Sequence, residues 1–520
     1  MKYRFFIIIL LLGAIFVGWR AVKNNANAEI VEKPTLRKAT PPGSALPASS
    51  VAQRTARAAH EKNELAEELN SRKNERIVTF KNEKAYRDAI TNLEKNGFRI
   101  LGRIDGLRAL RVGYDNLSQL QNALGDEAEM GRNFLVTQPP EGEVQAGAAG
   151  FGNDYLAFLG IKGDISAWGS GVTIAILDSG VVAHPSIPAD FIQISLVDSN
   201  GEPNGHGTAV ASLASAVAPA AKILSVQIAD ASGMSDSFTL AQGIFTALEN
   251  GAQVINISMG AQYESPLVAE AIAAAQAKGA VIVASSGNNG LDYATSPASN
   301  KNVISVGAID ANSNYLEFSN RYENLSTSAP GYEVYAAWPG DLGIAFTGTS
   351  ASSPLTAGGV AAVMSQLGGD ATQAAQILLS NSNEAGQPGS DSLYGQGTLD
   401  IGRAVNSSTG GISDLAVASH TYSLTGNSGL QISVENRGTE TLLNSTVNVT
   451  IDGQNYRQNI GKIDAAERQI ITIPTGLTKL QSGGSLSVIS SVSVASGVND
   501  SNSANNSRAD VITLSSTKNP

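Results

Sequence analysis

Four side chains in this 520-residue sequence have the types and settings for covalent chemistry at a carbonyl group. Asp178 ends an apolar run in VTIAILDSGV, and His206 stands between two glycines in NGHGTAVAS. Ser350 lies near the start of GTSASSP, and Asn288 follows a second apolar run in AVIVASSGNNG. A carboxylate can orient an imidazole, and the imidazole can take the proton of a hydroxyl that attacks a carbonyl. A side-chain amide facing the attacked group can donate to the oxyanion as it forms. Singly, each residue has an ordinary reading: an Asx turn, a helix start, an N-cap and an Asn-Gly turn. His184, in AHPS, is the competing imidazole nearby, in a setting that reads as a loop. The order Asp…His…Ser is one of the three known chain orders for such a triad.

The surrounding pattern says what must hold these groups. Short apolar runs (VTIAIL, KILSVQI, VINISM, AVIVASS, VISVGAI) alternate with helical stretches near 206–217, 237–250 and 265–278. Continuously apolar, β-branched strands separated by helices predict a doubly wound parallel sheet covered on both faces. Ligand sites in such sheets lie beyond the carboxyl ends of the strands, where Asp178 and Asn288 fall. A further helix opens at GTSASSP, and its small and apolar residues from Thr356 to Leu367 predict burial. Ser350 is then placed at a helix N-terminus, where free N–H groups favour negative charge. Pro354 is expected in the first turn, and Ser352 and Ser353 are expected to satisfy local backbone groups. Asp370 and Gln373 have the spacing of a capping box for one more helix.

Taken in order, DSG, HGT and GTSAS-P, with VINISMG and ASSGNNG, make residues 148–408 resemble the subtilisin-like serine proteases (subtilases, peptidase family S8). The resemblance implies hydrolysis of protein or peptide substrates by Asp178, His206 and Ser350 through an acyl-enzyme. It implies an oxyanion hole from the Asn288 side chain and the Ser350 N–H. Ser258, Met259 and Gly260 would line the primary specificity pocket. No acidic residue lies in 258–260 or 285–289, so an apolar or broad preference is expected. SASSPL and ASSG are also similar to the acid-acting sedolisins, which share the fold but use a glutamate base and an oxyanion aspartate. His206 within HGT, and Asn288, favour subtilisin chemistry over that alternative. A catalytically inactive secreted binding protein is the other reading. HGTAVASLASAVAPA runs straight from His206 to Pro219, without room for the Asn-rich calcium loop common in the family. No cofactor is required for the chemistry, and structural calcium, if present, cannot be placed from sequence.

The flanks read differently. Lys2 and Arg4 precede Phe5–Trp19, an apolar run of roughly 22 Å as a helix against ~30 Å for a bilayer core. With the Ala26-Asn27-Ala28 site this predicts a signal peptide over 1–28, an uncleaved anchor being the alternative, and a secreted, periplasmic or cell-surface protein. Residues 29–75 read as linker with some helix. Residues 76–147 carry a β-α-β-β-α-β pattern, a small ferredoxin-like α+β unit, with Asn82 and Asp115 as expected helix caps. The subtilase resemblance makes this unit a propeptide that inhibits its own enzyme, with maturation cutting somewhere in 139–150. A permanent accessory domain is the alternative. Residues 409–520 alternate with period two and place Asp452-Gly453 at a hairpin turn, which predicts an all-β sandwich. ISVENRGT resembles extracellular Ig-like adhesion-type domains, which implies contact with a cell surface or matrix. The net charge of −11 argues against nucleic acid as a partner. The absence of cysteine excludes thiol chemistry and disulfides.

Overall fold

The computed structural model describes residues 62–143, 145–198, 203–424 and 428–514. The N-terminal run read as a signal peptide, and the linker up to residue 61, lie outside the described residues. The rest of the stretch read as linker is ordered: residues 63–69 are helical, and the first strand already begins at Ser71.

The first module contains β1 (Ser71–Phe80), α1 (Glu83–Lys95), β2 (Arg99–Ile104), β3 (Ala109–Gly113), α2 (Leu117–Leu124) and β4 (Ala128–Thr137). Its strands pair antiparallel in the order β2-β3-β1-β4. The Asn82 side chain caps α1 by accepting from the Ala85 N–H. The cap of α2 is Asn116 rather than Asp115, because the Asn116 oxygen is the one that reaches the Gln119 N–H. Period-two alternation gives β1 two apolar faces. Val78 and Phe80 join the module's own core with Tyr86, Leu93 and Leu110, whereas Ile77 packs with Val136 into a core shared with the next unit.

That unit is built on a seven-stranded parallel sheet. Its strands are β5 (Thr173–Asp178), β6 (Ile192–Ser195), β7 (Lys222–Gln227), β9 (Val254–Ile257), β10 (Val281–Ser285), β11 (Val303–Ile309) and β12 (Thr327–Pro330). They lie in the order β12-β11-β10-β9-β5-β7-β6. Strands β6 and β12 carry too weak an apolar pattern to stand out in the sequence. Successive residues of β5 face opposite cores. Ile174 and Ile176 pack with α3 (His206–Val217) and α6 (Thr349–Leu367); Ala175 and Leu177 pack with α4 (Ser237–Glu249) and α5 (Pro266–Ala277). Strand β5 sits where the strand order reverses, so the crevice at its carboxyl end is the natural site. A short β8 (Met234–Asp236) leaves the parallel sheet and pairs antiparallel with β4 of the first module. A hairpin of β13 (Val334–Trp338) and β14 (Leu342–Phe346) flanks the crevice. Asp370 and Gln373 form a complete capping box on α7 (Ala371–Ser380).

Beyond Val405 the chain forms two antiparallel sheets. One is β15-β16-β19 (Leu415–Ser423, Gly429–Asn436, Arg468–Ile473). The other is β18-β17-β20-β21 (Gln454–Ile463, Leu442–Ile451, Ser485–Ser493, Ser507–Thr513). Val417, Ile432 and Val434 of the first share one core with Val447, Val449 and Val488 of the second. Asp452 and Gly453, at φ 48° and 86°, make the two-residue turn between β17 and β18. A buried charge cluster ties this region to the parallel-sheet unit: the Glu435 carboxylate accepts from Arg403 at 2.7 Å and Arg437 at 3.1 Å. Burial alone would raise the Glu435 pKa, yet these cations hold it at about 2.

Candidate active site

Asp178 is the last residue of β5 and is 1% exposed. Its Oδ1 accepts from the Ser179 N–H at 2.8 Å and the Ser179 hydroxyl at 3.2 Å. His206 is the first residue of α3, and its Nδ1 lies 2.8 Å and 3.0 Å from the two Asp178 oxygens. An ionised Asp178 only accepts, so Nδ1 carries the proton and Nε2 is left as the base. Phe346 of β14 meets the imidazole edge-on at 5.3 Å between centroids. Asn204 completes this corner. Its Oδ1 accepts from the His206 N–H at 3.1 Å, two residues on, and from the Ser179 hydroxyl at 2.7 Å, so it joins the two motifs. The sequence reading passed over Asn204, although an Asn readily accepts from the backbone N–H two residues on, as in an Asx turn. His184 stays in its loop, where its Nδ1 accepts from the Ser186 N–H.

Ser350 is the second residue of α6 and is 2% exposed. With His206 and Asn288 it lines one cavity of about 260 Å³, walled on one side by Trp338, Ile344 and Phe346. Among the described contacts its hydroxyl donates to the Ser258 carbonyl at 3.4 Å, not to His206. Pro354 falls in the second turn of α6, not the first. A residue there would donate to the Ser350 carbonyl, and proline cannot. The Ser258 hydroxyl takes up that carbonyl at 3.3 Å instead. Ser352 and Ser353 also depart from expectation. They reach neighbouring strands rather than local backbone: Ser352 donates to the Ala329 and Pro330 carbonyls, Ser353 to Asn256 Oδ1 at 2.6 Å. The reason is that α6 is buried on every side in this stretch, so hydroxyls must find tertiary partners.

Asn288 follows β10. Its Oδ1 accepts from the Thr349 N–H at 2.9 Å and the Thr349 hydroxyl at 2.7 Å, which turns its Nδ2 toward the cavity. Nδ2 donates to the carbonyl of Pro140 at 2.8 Å. Gly348 lies between, at φ +140°, and a Cβ there would sit 2.5 Å from Asn288 Nδ2. The residues after β9 contribute unequally. Ser258 and Met259 are fully buried, Met259 in the core beneath the sheet, so what they can offer the cleft is backbone. Gly260 forms an antiparallel bridge with Thr137, its N–H and C=O paired at 3.0 and 2.9 Å.

The chain leaving β4 therefore runs along this cleft. Thr137 pairs with Gly260, the Gln138 N–H donates to the Gly233 carbonyl, and Pro139, Pro140 and Glu141 border the cavity of His206 and Ser350. Helix α3 runs unbroken from His206 to Val217, with no carboxylate or carboxamide along it. Among the described residues no three His, Cys, Asp or Glu side chains gather to hold a metal.

A second Ser–His–Asp arrangement lies in the C-terminal region. His420 Nε2 is 2.7 Å from the Ser490 hydroxyl. Its Nδ1 is 2.9 Å from Asp510 Oδ2, a charge contact without hydrogen-bond alignment. The side chain of His420 is wholly buried and Ser490 is 0% exposed, so no substrate reaches them.

Residues 169–397 match the subtilase family of peptidases. Subtilisin Savinase of Lederbergia lenta is 35% identical over 244 residues, which cover 44% of this chain and 89% of that protein. An alkaline protease of Shouchella clausii is also 35% identical over 244 residues, 63% of its length. A thermostable alkaline protease of Halalkalibacterium halodurans is 33% identical over 250 residues, 46% of this chain and 68% of that protein. With residues 169–397 matching the family and a subtilisin at 35% identity covered over 89% of its length, the chain belongs to the subtilase family and is a subtilisin-like serine endopeptidase.

Proposed function

We propose that the protein is a secreted serine endopeptidase made as a self-inhibited precursor, with Asp178, His206 and Ser350 as its triad. The observation that carries this reading is the Asn288 Nδ2 bond to the Pro140 carbonyl, beside the cavity of His206 and Ser350. A backbone carbonyl of the chain's own N-terminal module thus occupies the place where a substrate's oxyanion would develop. In the reaction, the Ser350 hydroxyl turns from the Ser258 carbonyl to His206, gives its proton to Nε2 and attacks the substrate carbonyl. Asn288 Nδ2 and the Ser350 N–H hold the oxyanion. The tetrahedral intermediate expels the amine, which leaves with the proton from Nε2; water then attacks the acyl-enzyme by the same route. Asp178 stays ionised throughout and stabilises the imidazolium.

Residues 76–147 act as the propeptide and are cut away within about 139–150. The double-sheet region from 409 on is a β-sandwich that contacts a cell surface or matrix. No helix among the described residues is long and apolar enough to cross a membrane. The test is a fluorophosphonate probe together with N-terminal sequencing of the secreted protein. At neutral pH the wild type labels and begins between about 139 and 150, whereas Ser350→Ala does neither. Equal labelling of the two overturns the assignment of Ser350.

A further inference from the structure

We infer that the cleft carries a carboxamide-reading subsite, formed by Asn204 and Asp178, that selects glutamine in the substrate at the position following the residue paired with Gly260. The inference rests on the reading that residues 137–141 occupy the cleft as a substrate does. Gln138 holds that position, and its side chain is bound at both ends. Its Oε1 accepts from Asn204 Nδ2 at 2.8 Å, and its Nε2 donates to Asp178 Oδ1 at 3.2 Å and Asn204 Oδ1 at 3.4 Å. The room for it comes from a missing side chain: a Cβ on Gly233 would lie 2.4 Å from Gln138 Oε1 and 2.8 Å from its Cδ. The same Gly233 accepts from the Gln138 backbone N–H at 3.1 Å, which fixes the depth at which the side chain enters.

The partners dictate the chemistry. Asn204 Oδ1 is already committed to Ser179 and the His206 N–H, so Asn204 presents its N–H group to the substrate and requires an acceptor. Asp178 Oδ1 already accepts from Ser179 and His206; as a carboxylate oxygen it can take a further donor but no second acceptor. A glutamine amide supplies both from one planar group; Lys supplies donors only, Glu acceptors only, and Met neither. Glu would also set a second carboxylate against Asp178. A site built to hydrogen-bond a side chain rejects an isostere that leaves its own polar groups unpaired.

The test takes the matured wild-type enzyme and a peptide library cleaved to low conversion, with products read by mass spectrometry. Gln should be enriched about tenfold over Met, the worth of about one net hydrogen bond. The enrichment should fall at one position, the second or third before the cut, with Lys and Glu below Gln. Asn204→Asp keeps the oxygen that serves Ser179 and His206 but has no N–H for the glutamine oxygen. Its Gln-to-Met ratio should fall to within about twofold, whatever its overall rate. A wild type that cleaves the library with a flat Gln-to-Met ratio overturns the proposal, and so does a preference for Lys. If no peptide is cut and Ser350 takes no fluorophosphonate, the assignment of the site falls and this proposal falls with it.

Discussion

Among the described residues, Ser, His and Asp side chains are brought near one another twice, and only one of the two sets opens on a cavity that a substrate can enter. In the cleft, Asp178 and His206 are aligned while Ser350 rests on the Ser258 carbonyl. In the C-terminal region the serine contact is the tighter one, at 2.7 Å from Ser490 to His420, and the carboxylate is the partner out of line. Judged by serine–histidine distance alone, the wrong set would be chosen. What separates them is position. The first set stands at the carboxyl end of a parallel strand and at two helix starts, opening on a cavity with an amide donor at its side. The second lies on three antiparallel strands and is closed over, where a histidine bridges polar groups that burial would otherwise leave unpaired.

Ser350→Ala is the largest way to break this contrast. It should lower turnover by about 10⁶, a magnitude measured for subtilisin itself. Ser490→Ala should leave kcat/KM within about twofold, as read on a soluble peptide. Asn288→Ala follows, with a loss of about 10²–10³ in kcat, again the value known from subtilisin. His420→Ala should leave the cleft's kinetics alone and destabilise the C-terminal region by about 2–4 kcal/mol, because it opens a cavity and strands Ser490. Denaturant unfolding would measure that loss, and a fall in kcat of the folded variant would instead join the two sets functionally. The smallest effect is a pH dependence. Burial would raise the Asp510 pKa, but the close contact with His420 and the bond from Arg508 pull it down from 3.8 to about 2. Its stabilising contribution is complete above about pH 3.8 and is lost as the pH falls toward 2. Thermal unfolding of Asp510→Asn should therefore be flatter than wild type across that window.

Legibility in the sequence followed the range of the interactions. Asp178, His206, Ser350 and Asn288 stood out as candidates because each lies in a short motif at or just past a strand end or a helix start. The central strands announced themselves by unbroken apolar runs. By contrast, Asn204 binding Gln138 joins residues 66 apart, and nothing in either neighbourhood names the other. Ser352 and Ser353 looked like local hydrogen-bonders because a sequence does not show that α6 is enclosed on all sides. Pro354 shifted from the first turn to the second because the helix already starts at Thr349, which makes the proline its sixth residue. The hairpin that walls the cavity with Trp338 and Phe346 was missed because its strands are short, and Tyr335 and Leu342 on them are exposed. The buried cluster of Arg403, Glu435 and Arg437 was hidden for the same reason as Asn204: Arg403 and Glu435 lie 32 residues apart, and neither neighbourhood names the other.

Gly348 carries a further consequence. Its backbone lies where side chains rarely go, and its missing Cβ is the space into which the Asn288 amide turns. Two separate demands thus fall on a residue that takes no part in the reaction. A library randomised across 346–352 and selected for proteolysis should return glycine at 348 as strictly as serine at 350. Fitness at that position would measure room for another residue's amide, so intolerance to mutation would mark a neighbour of the chemistry as firmly as it marks the proposed nucleophile.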